Sequence, residues 1–300
     1  MVKDIPLKED FYSTSCHMAN EAWNAVHELL HKYKEYEDFR DYYDNGTGYY
    51  SGTSVDLTPY WKYSRPKLIS ALTLVQQSVE FRIKGKIAGI SPFLLLSNPV
   101  RKAGKKNLRF ADFNTVDAQD LIKLYNIFCD EEELIPNDFI NWYEEMRSLR
   151  NKFMHTVDFQ SDISPKIILT AILFSYEYLN RNEIKWISKR YSYRVENSTN
   201  GVDLKDSTSL CAKELLAVHK EFSATVELLT NEESIRYLNF DKNKTCFKCK
   251  KCRDDMLDDE FFDDGQLFTC IETVQIVAGT TEAKCMICDR FWEEEDLIYI

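Results

Sequence analysis

Three side chains that can bind an anion and move protons lie within the stretch YEEMRSLRNKFMHT, as Arg150, Asn151 and His155. Histidine titrates near neutral pH, so it can serve as a general base or a general acid. Arginine stays cationic and can place two parallel hydrogen bonds on phosphate oxygens. On a helix, Asn151 and His155 would share one face, with Arg150 beside them. These residue types and their spacing suit proton transfer at a phosphodiester.

A surface helix without any activity accounts for the same residues. Arg150 can pair with Glu144 or Glu145 on its own helix, and a histidine cation is favourable near a helix carboxyl end. An arginine followed by a histidine at this spacing occurs by chance roughly once in 300 residues. The elements around the stretch must therefore decide between the two interpretations.

Composition indicates a mostly α-helical protein. The chain has 300 residues, of which 44% are hydrophobic, and only nine glycines and seven prolines, which favours long helices with few tight turns. The net charge of −11 argues against a general polyanion binder but leaves room for one local basic site. The most apolar run, residues 167–176, is too short to cross a bilayer, and residues 1–13 lack the pattern of a signal peptide. We expect a cytoplasmic protein with no membrane partner.

Apolar residues recur at helical spacing in several segments. The pattern predicts helices over residues 7–43, 66–90, 117–132, 137–156 and 164–182, with further helix in 203–237. Capping and first-turn residues mark the starts of three of them: Pro66, Asp117, Asp120, Ser164 and Pro165. The pattern changes near residue 240. We predict an α-helical domain with a helical extension over 1–238 and a small β module over 239–300.

Cysteine spacing in the second region predicts a metal site. Cys246-x2-Cys249 and Cys285-x2-Cys288 have the spacing that places two thiolates on one tetrahedral zinc ion, as in a zinc ribbon. Cys249-x2-Cys252 is an alternative first pair, and Cys270 can replace one ligand. The region contains no histidine and no evident open ligand position, so the zinc is expected to be structural.

The stretch RSLRNKFMH resembles the R-N-x3-H signature of the HEPN superfamily. That resemblance covers about residues 10 to 185 and implies an α-helical bundle whose first two helices are long. The predicted second helix, QQSVEFRIKGKIAG, is similar to the family pattern of a glutamate and a lysine in an apolar helix, here Glu80 and Lys84. The alternative for these two residues is an i,i+4 pair that braces their own helix.

The resemblance implies a metal-independent endoribonuclease that acts as a toxin or in antiphage defence. The ribose 2′-hydroxyl would attack, giving a 2′,3′-cyclic phosphate and a 5′-hydroxyl end. His155 would act as base or acid, Arg150 would stabilise the phosphate, Asn151 would orient the substrate or the imidazole, and Glu80 would hold Arg150 or a base. A homodimer would bring two such motifs into one cleft.

Two further sequence features are candidate RNA contacts. Residues 101–109 form the basic stretch RKAGKKNLR, which can guide RNA together with Lys84, although a solvated loop has the same composition. The cations concerned are Arg101, Lys102, Lys105 and Lys106. The tyrosines and tryptophan of GYYSGTSVDLTPYWKY can stack on unpaired bases, or pack on the helical core.

The sequence therefore predicts a mainly α protein, with a HEPN-like helical bundle followed by a zinc ribbon. Its cutting would be restrained by an antitoxin or a sensor protein. The alternative is a non-catalytic helical adaptor, in which the zinc ribbon recruits a partner.

Overall fold

A computed structural model of the chain describes residues 2–44, 56–99, 107–155, 162–181, 185–197, 208–257, 272–277 and 279–293. The described residues are mainly helical, with one small three-stranded antiparallel sheet near the carboxyl end, as the sequence predicts. The chain divides into two compact units, an amino-terminal unit, Met1–Leu179, and a carboxy-terminal unit, Asn180–Ile300.

Two long antiparallel helices form the frame of the amino-terminal unit. They are α1, Lys8–Asp44, and α2, Tyr60–Ile90. Near the middle of the pair, the Ser15 hydroxyl donates a hydrogen bond of 2.8 Å to the Ser78 carbonyl oxygen. Nearer the other end, the Lys67 ammonium lies 3.2 Å from the Glu28 carboxylate. Apolar residues at helical spacing make both helices amphipathic, and the two apolar faces are buried against each other.

Helix α2 begins at Tyr60, before the predicted start at Pro66, and Pro66 lies inside the helix. The residues of α2 before Pro66 make tertiary contacts, which helix propensity does not take into account. The Tyr60 hydroxyl donates a hydrogen bond of 2.7 Å to the Leu29 carbonyl oxygen, and its ring lies 5.3 Å from that of Tyr33. Packing against α1 therefore extends the helix through a proline that would otherwise mark its start.

The shorter elements of this unit pack on the carboxyl half of α2. They are the 3₁₀ turns Pro92–Leu95, Phe110–Asp112, Ala118–Asp120 and Glu131–Glu133, and the helices α3, Leu121–Phe128, α4, Asn137–His155, and α5, Pro165–Leu179. One apolar cluster joins them, with Ile83, Ile87, Leu121, Phe139 and Tyr143 each at most 1% exposed. The predicted start of α5 is confirmed, since the Ser164 hydroxyl accepts a hydrogen bond from the Ile167 amide at 3.4 Å.

In the part of the carboxy-terminal unit that the structure describes, four helices are combined with the sheet. The helices are α6, Trp186–Asn197, α7, Thr208–Leu228, α8, Asn231–Leu238, and α9, Lys250–Leu257; the strands are β1, Val274–Ile276, β2, Glu282–Cys285, and β3, Phe291–Glu293. The strand order is β1-β2-β3, with Val274 opposite Cys285 and Ala283 opposite Trp292. Both Val274 and Ala283 are fully buried, so the small sheet has one face turned inward.

The predicted domain boundary near residue 238 differs from the division that the structure shows. Helices α6 to α8 belong with the β module, because side-chain contacts tie each of them to it. The Ser188 hydroxyl of α6 donates to the Met286 carbonyl oxygen at 3.2 Å, the Phe222 ring of α7 lies 5.2 Å from that of Phe240, and the Asn231 amide of α8 donates to the Asp241 carboxylate at 3.1 Å. The change in composition near residue 240 marks a change of secondary structure inside one compact unit.

Among the residues that the structure describes, no helix is both long enough and apolar enough to cross a membrane.

Candidate functional site

Helix α4 carries the candidate catalytic residues at its carboxyl end. Its first half is anchored in the apolar core by Phe139, Tyr143 and Met146, which recur at helical spacing. After Glu145, every charged side chain that the structure describes on this helix is basic, namely those of Arg147, Arg150 and Lys152. The anchored first half thus holds a cationic end in a defined position.

Arg150 is half-buried, whereas the next residue, Asn151, is exposed. One guanidinium nitrogen, Nη1, donates a hydrogen bond of 3.0 Å to the Asn151 side-chain oxygen. Among the described atoms, Arg150 Nε is buried without a hydrogen-bond partner. A buried donor without an acceptor is energetically costly. Because this nitrogen is shielded from solvent, an anion would have to bind the half-buried guanidinium through its terminal nitrogens.

The simple surface pairing of Arg150 is not what the structure shows. Glu144 pairs instead with Arg147, at 2.9 Å, and no described carboxylate forms an ion pair with Arg150. The first intervening residue of the motif, Asn151, is the described side-chain partner of the arginine. The guanidinium charge therefore remains available to an anion.

His155 is the last residue of α4, and its side chain lies outside the described residues. Helical geometry places positions 151 and 155 on one face of α4. The backbone of α4 therefore allows Asn151 and His155 to share one face of the helix, as the sequence predicts.

The carboxyl end of α4 lies against the amino-terminal half of α2. The Met154 sulfur is 4.0 Å from the Thr73 hydroxyl, and the Arg65 guanidinium lies 5.3 Å from the centre of the Phe153 ring. This half of α2 is also cationic. From Tyr60 to Val79 it carries lysines and an arginine but no acidic side chain: Lys62, Arg65 and Lys67. Two helix ends with excess positive charge therefore meet within an acidic protein.

Glu80 faces α4 but does not contact Arg150 through any described hydrogen bond. Its carboxylate accepts a hydrogen bond of 3.0 Å from the Gln76 amide. Burial raises the pKa of Tyr143 well above its usual range, and the nearby Glu80 carboxylate adds to that increase. The structure thus brings Glu80 to Tyr143, about two turns before Arg150.

Lys84 lies over an aromatic ring of its own helix. Its ammonium is 5.4 Å from the centre of the Phe81 ring, and no ion pair with Glu80 is found among the described side chains. Four other predicted RNA contacts lie outside the described residues: Arg101, Lys102, Lys105 and Lys106.

Four cysteine sulfurs come together in the carboxy-terminal unit. The Sγ atoms of Cys249, Cys252, Cys285 and Cys288 all lie within 4.8 Å of one another. The Cys249–Cys288 and Cys252–Cys285 sulfur distances are 3.7 and 3.9 Å. A tetrahedral zinc ion with bonds of about 2.3 Å to sulfur requires sulfur atoms about 3.8 Å apart. The four thiols therefore fit zinc in both donor type and spacing.

Two different local structures present the paired cysteines. Cys249 immediately precedes α9 and Cys252 lies in its first turn, so both point from one side of the helix. Cys285 ends β2 and Cys288 lies in the following turn, which Asp289 closes with a positive φ of 62°. A helix start thus supplies one pair of ligands and a strand end supplies the other.

Cys252 takes the place that the primary prediction gave to Cys246. The Cys246 sulfur lies outside the cluster and accepts a hydrogen bond of 3.1 Å from the Gln275 amide. The reason is the start of α9, because its first turn brings Cys249 and Cys252 onto one face and leaves Cys246 in the preceding segment. The alternative knuckle Cys249-x2-Cys252 is the one that the structure assembles. Cys270 lies outside the described residues.

Hydrogen bonds among the four cysteines move their pKa values in opposite directions. They lower the pKa of Cys285, through Cys249 first, and that of Cys249, through Cys252 first, and they raise the pKa values of Cys252 and Cys288. The Thr273 hydroxyl, 3.4 Å from the Cys285 sulfur, also lowers the pKa of Cys285. Three of the four cysteines are buried. The closed set of sulfur donors is typical of a structural zinc site.

Several buried polar residues of this unit are not evident from the sequence. Arg190 is 1% exposed and makes two hydrogen bonds to Glu221, at 3.0 and 3.1 Å. His219 on α7 is 1% exposed, and neither ring nitrogen has a hydrogen-bond partner among the described atoms. Burial lowers the pKa of His219 to about 4. No spacing rule singles out these residues, because their burial and the Arg190–Glu221 pairing depend on parts of the chain that are far apart in sequence.

No family model matches this chain, and neither a curated protein nor a solved structure shows significant similarity to it.

Proposed function

We propose that the amino-terminal unit is a metal-independent endoribonuclease of the HEPN type. The observation that supports it best is the environment of Arg150, which is half-buried at a cationic helix end, is bonded to Asn151 and has no ion-pair partner among the described carboxylates. A guanidinium with no described carboxylate partner is suited to bind a phosphate.

The residues of the motif would divide the work between charge and protons. RNA supplies the nucleophile, its 2′-hydroxyl, so the protein needs only a base, an acid and a cation. Arg150 would bind the non-bridging phosphate oxygens as negative charge develops on them. His155 would remove the 2′-hydroxyl proton or donate a proton to the leaving 5′-oxygen. Asn151, already bonded to Arg150, would fix the direction of the guanidinium.

One copy of the motif supplies a single imidazole, whereas the reaction uses both a base and an acid. A two-fold symmetric homodimer would place two α4 ends around one scissile bond. Each copy would then provide one of the two proton-transfer groups. We place this enzyme among toxins or antiphage effectors, with an antitoxin or a sensor restraining it.

The test compares RNA cleavage by the wild-type chain with that of His155→Ala and Arg150→Ala. Each variant is expected to lose at least about a hundredfold in rate, with unchanged helical content, because general acid–base groups and charge-stabilising groups contribute at this level. His31→Ala is the matched control, since His31 is an exposed histidine of α1 that pairs with Glu35 at 3.4 Å. Mass spectrometry should find 2′,3′-cyclic phosphate ends. Wild-type rates in His155→Ala would contradict the assignment.

We further propose that the four clustered cysteines hold one structural zinc ion. Metal analysis of the purified chain should find one zinc per molecule, retained in Cys246→Ser and lost in Cys285→Ser. Equal zinc content in the two variants would show that the cluster is not the metal site.

A second candidate is a non-catalytic adaptor whose carboxy-terminal unit recruits a partner. The closed Cys₄ set favours it, because such a site braces a surface and leaves no ligand position for chemistry. Expression in cells separates the two candidates. An endoribonuclease should slow growth and its Arg150→Ala variant should not, whereas an adaptor predicts equal growth and no RNA cleavage by either protein.

A further inference from the structure

A cluster of aromatic side chains lies where the carboxyl-terminal part of α1 packs on the start of α2. We call it the aromatic ledge: the rings of Tyr33, Tyr36, Tyr60 and Trp61 contact one another, and Tyr63 lies beside them in the first turn of α2. Ring centres are 5.1 Å apart for Tyr33–Trp61, 5.0 Å for Tyr60–Trp61 and 5.9 Å for Tyr36–Tyr60. The last two pairs meet edge to face, at interplanar angles of 89° and 66°. This packing holds the rings in fixed directions.

Part of the ledge faces solvent. Tyr63 is 81% exposed and Tyr36 is 47% exposed, whereas Tyr60 is half-buried and its hydroxyl donates to the Leu29 carbonyl oxygen. The inner rings therefore act as a support, and the outer rings present apolar surface to a ligand. Because the Tyr36 and Tyr63 rings are exposed, they do not contribute to the buried core of this unit.

The ledge lies at the same end of the helical bundle as the candidate catalytic residues. Helix α2 starts in the ledge and reaches α4 one turn later, where Arg65 lies over the ring of Phe153. Phe153 is two residues before His155 on the last turn of α4. A flexible chain bound at the ledge would therefore extend towards the R-N-x3-H motif.

The charges along this path favour a nucleic acid over a protein partner. Lys62 lies in the same turn of α2 as Tyr63 and has no ion-pair partner among the described side chains. No acidic side chain follows on α2 before Glu80, and none follows Glu145 among the described side chains of α4. On α1, the carboxylates that flank the ledge rings are held in ion pairs: Glu28 with Lys67, Glu35 with His31, and Glu37 and Asp38 with Lys34. Exposed rings beside a cationic path are the combination that binds unpaired bases and their phosphates.

We propose that the aromatic ledge stacks unpaired bases of the RNA substrate and so selects single-stranded over paired RNA. Tyr63 and Tyr36 would contact the bases, and Lys62 would contact a phosphate. This proposal rests on the proposed endoribonuclease activity, since it assigns the ledge to the same substrate. Stacking needs a free base face, which a continuous duplex does not offer.

The test measures binding separately from cutting. The probe is a short fluorescein-labelled oligoadenylate with 2′-O-methyl riboses, which lacks the nucleophile, titrated with the full-length wild-type protein. The same probe annealed to oligouridylate gives the paired form. The variants are Tyr36→Ala/Tyr63→Ala, the conservative Tyr63→Phe, and Phe93→Ala as control. Phe93 is 51% exposed and lies in the 3₁₀ turn after the opposite end of α2.

The double variant should bind the single strand about tenfold more weakly than wild type, since stacking contributes at this level per base. Tyr63→Phe and Phe93→Ala should bind within about twofold of wild type, as they keep the ledge rings. The wild-type protein should prefer the single strand to the duplex. Circular dichroism should show that every variant is folded.

Two results would overturn the ledge as a base-binding site. One is unchanged single-strand affinity in the double variant. The other is a change of its oligomeric state, by light scattering, with no change in RNA affinity, which would make the ledge a protein interface. If the wild type cuts RNA and the double variant cuts and binds RNA normally, the base-binding role of the ledge is rejected and the endoribonuclease activity is supported. If the wild type binds the probe through the ledge but cuts no RNA, the base-binding role is supported and the endoribonuclease activity is rejected.

Discussion

The two units of this protein differ in the charged and sulfur-containing groups that their interiors contain. The amino-terminal unit has a continuous apolar cluster in which residues of α2, α3 and α4 are almost fully buried. The carboxy-terminal unit places charge and sulfur inside: Arg190 and Glu221 are 1% and 6% exposed, and buried cysteine sulfurs lie beside the small sheet. This unit also buries apolar side chains of its helices, such as Trp186, Ile187 and Phe222, so the ion pair and the sulfur atoms add to an apolar core.

This difference locates candidate chemistry in each unit. In the amino-terminal unit, polar groups at the end of α4 are not required by the core, so Arg150 is available for function. In the carboxy-terminal unit, Arg190, Glu221 and the cysteine sulfurs lie inside the unit, beside its apolar core. The following experiments test that contrast, beginning with the largest expected effect.

Metal removal should unfold one unit and spare the other. A strong chelator, or Cys285→Ser, is expected to abolish hydrogen-exchange protection in β1, β2 and α9, because structural zinc contributes on the order of 10 kcal/mol to folding. Protection in α2 should persist, since its interior is apolar. Cys246→Ser is the matched control and should keep protection in both units. Equal loss in α2 would show that the two interiors are not independent.

Breaking the buried Arg190–Glu221 ion pair should have the second largest effect on stability. Arg190→Ala leaves the Glu221 carboxylate buried, with Arg194 at 2.9 Å as its remaining cation, and should destabilise the carboxy-terminal unit by about 3 kcal/mol. The comparison is Arg147→Ala in the other unit, whose pair with Glu144 is half exposed and should cost less than about 1 kcal/mol. Native-state hydrogen exchange in α7 and α4 measures each effect. Similar costs at the two sites would contradict the contrast.

The apolar interface of the amino-terminal unit can be tested with two glycines of α2. A β-carbon at Gly85 would lie 2.4 Å from the Tyr12 ring, over which Arg82 is packed at 3.6 Å. Gly85→Ala should therefore destabilise this unit by about 1–3 kcal/mol. At Gly89 the nearest atom is 3.2 Å away, in the flexible Lys8 side chain. Gly89→Ala should be neutral or slightly stabilising, through its helix propensity. Thermal or urea unfolding, followed by hydrogen exchange of the α2 amides, measures the change in unfolding free energy for both variants.

Acid should weaken the carboxy-terminal unit through His219. Its pKa is lowered by burial to about 4, below the unfolded value, so the unfolded state binds a proton first as the pH falls. Stability should be constant above about pH 6.5 and decrease between pH 6.5 and 4, by about 1.4 kcal/mol at pH 5.5. His219→Leu removes this contribution and should show a shallower decrease. The same slope in both proteins would mean that other groups, such as the cysteine thiols, account for the acid sensitivity.

Local patterns predicted most of the helical architecture, because helix formation depends on apolar spacing and end residues that the sequence displays. The predicted helix over 137–156 is observed as α4, and the Ser164 cap marks α5 as expected. Errors occurred where distant contacts outweigh local signals. Pro66 lies inside α2 since Tyr60 and Trp61 pack on α1, and the predicted helix over 117–132 ends at Phe128.

The sequence by itself determined the chemical types available: one arginine–asparagine–histidine motif, cysteine pairs at zinc spacing, and a mostly α-helical chain. Only the tertiary structure decided which cysteines converge, where the two units divide, and that Arg150 bonds Asn151 while Glu144 pairs with Arg147. The reason is physical. Spacing fixes which side chains share a face of one element, whereas burial and partner choice depend on elements that are far apart along the chain.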